Sequence, residues 1–140
     1  DEVYHEWDPR LGVTFDVTEG VSLFAGYATG SRLSIFFNGT TSPVPERSES
    51  WEGGVKFALG DTGLSGTLSA FRLDRTNVPT PDPTTFFTSI QTGAQRSEGI
   101  EADVIYEPSP AFSLLASYGY SDARVTADTV IPVGSRLPRV

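Results

Sequence analysis

The sequence predicts an all-β chain, a segment of an antiparallel up-and-down transmembrane β-barrel of about six strands, and three observations carry that prediction. Apolar residues recur at every second position over successive segments, and no stretch of useful length keeps a helical period. The connections between those segments alternate between short and long. The 140 residues include 14 Gly and 10 Pro, a turn-rich composition that suits strands.

After a polar lead containing His5 and Trp7, the segment from Arg10 to Val17 sets Leu11, Val13, Phe15 and Val17 against Gly12, Thr14 and Asp16. This is the first strand. Thr18-Glu19-Gly20 makes a short turn, and Val21, Leu23, Ala25 and Tyr27 form the apolar face of the second strand. From about Gly30 to Glu46 the alternation stops, which predicts a loop. The third strand, from about Arg47 to Leu59, places Trp51, Gly53, Val55, Phe57 and Leu59 on one side and Glu52, Gly54, Lys56 and Ala58 on the other. Gly60-Asp61-Thr62-Gly63 is its turn.

The fourth strand begins at Leu64 with Gly66, Leu68 and Ala70 on one face. Beyond Ala70 the apolar positions pass to Arg72 and Asp74, which predicts a strand rising out of a bilayer. A second long loop follows over about Asn77 to Gly93. The stretch from Arg96 to Asp122 is a hairpin. Ile100, Ala102, Val104 and Tyr106 face one way, the Pro108-Ser109-Pro110 segment reverses the chain, and Phe112, Leu114, Ala116, Tyr118 and Tyr120 continue the apolar side. Ala123 to Val140 is a third loop.

The opposite faces, rich in Glu, Asp, Ser and Gly, suit a water-filled lumen better than a packed core. Tyr27, Trp51 and Tyr118 stand well away from the short turns and Phe57, Tyr106 and Phe112 close to them, giving two candidate aromatic girdles. No run of about 18 apolar residues exists for a transmembrane helix, whereas a membrane-crossing strand needs only about 9–11 residues. The mean hydropathy of −0.16 is compatible with such strands. A net charge of −8 argues against nucleic acid, and the lack of Cys excludes disulfides and thiolate metal sites. With no initiator Met at Asp1 and no terminating feature after Leu137, the chain reads as an excerpt of a longer one.

Four stretches resemble a known family. Arg47-Ser48-Glu49-Ser50-Trp51-Glu52-Gly53-Gly54-Val55-Lys56 resembles a barrel strand of TonB-dependent outer-membrane receptors of the ferric-siderophore branch. Arg96-Ser97-Glu98-Gly99-Ile100-Glu101-Ala102-Asp103 resembles the R-S-x-G-x-E strand of the same barrels, and Gly134-Ser135-Arg136-Leu137-Pro138 their approach to a following strand. Phe24-Ala25-Gly26-Tyr27-Ala28-Thr29-Gly30 looks like a tyrosine-rich strand end, departing from it at Thr29-Gly30-Ser31-Arg32.

The resemblance implies a barrel of about 22 strands, closed by an N-terminal plug. It implies import of a ferric siderophore across the Gram-negative outer membrane, driven by the inner-membrane TonB complex. On this reading residues 1–140 are partial barrel without the plug, and the partners are a ferric chelate, the plug, the TonB complex and outer-membrane lipid. Two other readings fit the alternation: a soluble carbohydrate- or protein-binding β-sandwich, and a passive porin-like barrel.

No enzymatic chemistry is expected. Asp61-Thr62-Gly63 matches the aspartic-protease triplet but fills a hairpin turn, and those enzymes need two such carboxylates. Asn38-Gly39-Thr40 is a sequon that an Asn-Gly loop tip explains without sugar. Glu101 and Asp103 share a face but lack a third ligand, and the lone His5 makes neither triad nor zinc site, so no bound metal or cofactor is expected. The candidate ligand contacts are the loop pairs Phe36-Phe37 and Phe86-Phe87, which would pack against a chelate, with Arg32 for an anionic one. The plainer alternative is that each pair staples its own loop.

Overall fold

The computed structural model describes residues 5–33 and 44–137. Six strands form one antiparallel sheet in chain order: β1 (Arg10–Thr18), β2 (Val21–Arg32), β3 (Glu46–Leu59), β4 (Leu64–Pro81), β5 (Ser89–Ser109) and β6 (Phe112–Ala127). Every strand pairs with its sequence neighbour. A soluble sandwich would need a second sheet over the apolar face, and among the described residues there is none.

The register brings the apolar sets of all six strands together. One row runs Phe15, Leu23, Val55, Leu68, Ala102, Tyr118; the next runs Val13, Ala25, Gly53, Ala70, Ile100, Tyr120. Most of these side chains are exposed, Phe15 at 66%, Leu68 at 47% and Tyr118 at 61%, while Val55 and Ala102 are half-buried. Among the described residues Val125 and Pro45 are the buried apolar side chains. A sheet whose greasy face is its outer face is stable in hydrocarbon, where each backbone group is paired by a neighbouring strand. On β3 this face extends from Trp51 to Leu59, the length of about 9–11 residues that crosses a bilayer.

The upper edge of the apolar band drifts along the sheet. It lies at Tyr27 and Trp51 on β2 and β3, but one ladder step nearer the short turns on β4, β5 and β6, where Ala70, Ile100 and Tyr120 share a row. Tilted barrel strands require this drift, because a hydrogen-bonded row is then oblique to the membrane plane. Tyr27 and Trp51 stack at 4.4 Å at the upper boundary, and Tyr106 and Phe112 meet edge-on at 6.5 Å at the lower.

The short turns are as compact as expected. Gly20 and Gly63 take left-handed φ values of 79° and 67°, and Asp61 lies in a 3-10 turn, Gly60–Thr62, closed by the Thr62 hydroxyl donating to the Leu59 carbonyl at 2.8 Å. The last hairpin turns on Pro110 and Ala111, one residue later than the two prolines suggest. Pro108 stays within β5 because a register shift between Tyr106 and Ser109 absorbs its missing N–H.

The second long loop is much shorter than the sequence suggests. β4 and β5 stay paired above the apolar band through Val78 with Gly93, Thr80 with Ile90 and Pro81 with Ser89, leaving residues 82–88 as the tip. Asn77, at φ 57°, sits in the irregularity that lets this hairpin continue past Pro79. After β6 the chain folds back and begins a further pairing. Val125 donates to the Ser135 carbonyl, Leu137 donates to the Ala123 carbonyl, and Arg124 faces Arg136.

Candidate functional site

The inward face of the sheet changes character with height. At bilayer level it carries Asp16, Glu52, Lys56, Glu101 and Asp103 among Ser, Thr and Gly. Asp16 accepts the Ser22 hydroxyl at 2.6 Å, Asp103 accepts that of Ser117 at 2.6 Å, and the Lys56 ammonium lies 5.1 Å from the Phe24 ring centre. Neither Glu52 nor Glu101 has a basic partner among the described residues. Phe24 and Phe71 lie flat on this wall over Gly54 and Gly99. A Cβ at either glycine would come within 2.9 Å of the ring and would also strike a neighbouring carbonyl oxygen.

Above the band the same face becomes basic. Arg32 ends β2 directly opposite Glu46, which starts β3. Its Nη2 donates to both Glu46 carboxylate oxygens, at 3.1 and 3.3 Å, and Arg75 from β4 donates to the same carboxylate at 2.7 Å. The Glu46 side chain is only 7% exposed while that of Arg32 is 70% exposed, so two guanidiniums share one sequestered carboxylate and the opening carries a surplus positive charge. They border a cleft of about 460 Å³ that also takes in Ser48 and Leu73. Gln91 ties this region to the β4–β5 hairpin, donating to the carbonyls of Val44 at 2.7 Å and Asn77 at 3.1 Å.

Phe86 and Phe87 occupy the hairpin tip and are 91% and 95% exposed. The tip is ordered by Asp82, whose carboxylate accepts the Thr84 backbone N–H at 2.8 Å and its hydroxyl at 2.7 Å. The Thr84 hydroxyl and backbone N–H together hold the Asp82 carboxyl below the usual carboxylate range. Phe87 takes a φ of 64°, a strained value for a bulky residue. Phe36 and Phe37 lie outside the described residues.

The structure therefore gives the sequence-derived site residues different settings. Arg32 is already in an ion pair, and its partners Glu46 and Arg75 are not distinguished in the sequence. Their signal is positional: Arg75 continues the inward parity of Phe71 and Leu73, and only a strand extended past Ala70 puts it beside Ser48. His5 is exposed, and among the described residues no group of three or more His, Asp or Glu side chains is placed to hold a metal ion.

The whole chain, residues 1–140, matches the family described as TonB dependent receptor-like, beta-barrel. It is 36% identical over 137 residues to the metal-pseudopaline receptor of Pseudomonas aeruginosa, covering 94% of this chain and 19% of that protein. It is 32% identical over 137 residues to the ferrichrome outer membrane transporter/phage receptor of Escherichia coli, covering 92% of this chain and 17% of the relative. The chain thus spans about a fifth of the length of these curated relatives. Among solved structures, the alcaligin outer-membrane receptor of Bordetella pertussis superposes with a TM-score of 0.73 at 19% identity, over 94% of this chain and 24% of that one. The ferripyoverdine receptor of Pseudomonas aeruginosa, bound to ferripyoverdine, also gives 0.73, at 18% identity over 87% and 18%.

Proposed function

We propose, from the premise that this chain belongs to the TonB-dependent receptor β-barrel family of the Gram-negative outer membrane, that it forms part of the wall of a transporter importing a ferric siderophore. The TonB complex supplies the energy, and no bond-making chemistry is assigned to these residues. The observation that carries this reading is the inward face. A polar, glycine-rich wall at bilayer height leads up to an electropositive opening at Arg32 and Arg75, on the side of the long loops, which face the cell exterior in such barrels.

Iron chelates with carboxylate, catecholate or hydroxamate ligands commonly carry negative charge, and a guanidinium sharing its carboxylate keeps donors to offer such a ligand. The exposed Phe86-Phe87 tip supplies flat apolar surface for the organic part of the chelate, and Phe36-Phe37 are assigned the same role. Glu52 and Glu101 lie two strands apart, roughly 10 Å, without cationic partners. Carboxylates left unpaired on a lumen wall support a separate plug that brings Lys or Arg to meet them. The apolar neighbours Ile105 and Leu115 near the short turns give that plug a dry contact.

The test is uptake and binding of radiolabelled ferric chelate in cells carrying the whole receptor. Arg32→Gln with Arg75→Gln is expected to weaken binding by about tenfold or more. Deleting TonB is expected to abolish uptake while leaving binding intact. Uptake that persists without TonB would show a passive pore and sink the proposal.

A further inference from the structure

Side-chain amides, rather than a strand, hold the chain just before Glu46. The β2–β3 ladder ends at Arg32 with Glu46 and the β3–β4 ladder at Arg47 with Thr76, so Val44 and Pro45 lie beyond both. Pro45 and Glu46 are nevertheless buried, and buried backbone groups need partners. Gln91 supplies them from β5. Its Oε1 accepts the Val44 backbone N–H at 2.7 Å and its Nε2 donates to the Val44 carbonyl at 2.7 Å, the exchange of donor and acceptor that a neighbouring strand would make. Asn77 donates through Nδ2 to the Pro45 carbonyl at 3.0 Å. Gln91 Nε2 also donates to the Asn77 carbonyl at 3.1 Å, which joins the two amides into one clamp.

The clamp has a firm mounting. Thr80, only 3% exposed, donates its hydroxyl to the Ile90 carbonyl at 3.2 Å and meets the Thr92 hydroxyl at 3.2 Å, so both chain neighbours of Gln91 are tied to β4. At Gly93 a Cβ would come within 2.6 Å of the Thr80 methyl and 2.7 Å of the Val78 carbonyl oxygen, so a glycine is needed for β5 to close on β4 here. What the clamp grips leads straight into Glu46. That carboxylate holds Arg32 at 3.1 Å and Arg75 at 2.7 Å against the mutual repulsion of the two guanidiniums. It can serve both only if its backbone keeps one height between β2 and β4.

We infer that Gln91 and Asn77 are positioning residues for the Arg32, Glu46 and Arg75 cluster. By clamping Val44 and Pro45 they fix the height of the Glu46 carboxylate, and through it the convergence of both guanidiniums on the cleft they border. Neither amide touches a ligand in this arrangement; each acts through Glu46. The inference rests on the reading of that cleft as the place where an anionic iron chelate binds.

The experiment is a double-mutant cycle on the whole receptor in detergent, with ferric tris-catecholate as the anionic probe and its equilibrium affinity as the readout. Gln91→Leu is expected to weaken binding about fivefold in the unsubstituted receptor, but by less than about 1.5-fold where Arg32→Gln and Arg75→Gln are already present. Asn77→Gly keeps the left-handed φ while removing the amide. It is expected to weaken binding about twofold, an effect that also vanishes once the two arginines are gone. Unchanged affinity in Gln91→Leu, or an equal loss with and without the arginines, overturns the inference and leaves the anion reading of the cleft standing. Where Gln91→Leu fails to fold, the same criteria apply to Asn77→Gly. Binding indifferent to Arg32→Gln with Arg75→Gln removes the anion reading itself, and the inference with it.

Discussion

The part of the sheet at bilayer height and the part rising above it are made of the same six strands but are stabilised in opposite ways. Every ion pair among the described residues lies in the upper part, from Arg32 with Glu46 to Arg136 with Asp122. At bilayer height Glu52, Lys56 and Glu101 have none, and the outward side chains are bare. The lower part thus turns one apolar face to lipid and leaves the charges of its other face without ionic partners among the described residues. The upper part, standing in water, satisfies its own charges. Absence of pairing in one region and excess of it in the other mark where the solvent changes.

The largest way to break that comparison is a charge in the lipid-facing row. Leu68→Arg is expected to destabilise the folded receptor in bilayers by about 2–4 kcal/mol, and the adjacent, inward Thr67→Arg by under about 1 kcal/mol. Urea unfolding in vesicles that gave equal costs would mean the two faces are not differently solvated. Next comes the inward wall. Gly99→Ala puts a Cβ against the Phe71 ring and the Tyr120 carbonyl, with an expected loss of about 1–3 kcal/mol. Adding Phe71→Ala should recover only the part due to the ring, because the carbonyl remains.

A smaller effect belongs to the upper part. Glu46→Gln leaves Arg32 and Arg75 facing each other across a neutral amide. It should raise local opening of the β2–β3 and β4–β5 ends by about 1–2 kcal/mol, read as faster amide exchange there and not in the rows below. The smallest is pH-dependent and confined to the tip. The Asp82 carboxyl titrates below the ordinary carboxylate value of about 3.9, so the ordering it gives residues 82–88 is fully present above that value. It is lost as the pH falls through the lowered one. Exchange at Thr84, corrected for its intrinsic rate, should accelerate in that acid window, and Asp82→Asn should remove the step.

The same contrast decides what was legible in the sequence. Where lipid sets the rule, alternation from Leu11 to Tyr120 is enough to place each strand and its faces, since a slip of one residue would turn Glu52 or Glu101 toward hydrocarbon. Where water takes over, the rule lapses. Past Ala70 the outward positions become Arg72 and Asp74, and nothing in periodicity distinguishes a charged strand from a loop, so β4 and β5 are read short. The candidate site suffers in proportion. Arg32 is visible as a cation, but Glu46 and Arg75 acquire meaning only through the register that joins β2, β3 and β4. Phe86 and Phe87 stand out as a pair, while the left-handed φ of Phe87 has no sequence signature.

Strict neighbour-to-neighbour pairing also has a kinetic meaning. No strand waits for a distant one, so each closure spans a single loop, and the entropic cost of joining ends is met in small instalments. Each completed hairpin leaves one edge bearing unpaired N–H and C=O groups, on which the next segment zips by templating. Ser135 and Leu137 pair with the edge of β6 in the same neighbour-to-neighbour order. A wall built this way grows sideways like a rolled fence, and its speed is governed by the slowest single hairpin rather than by a search across the whole chain.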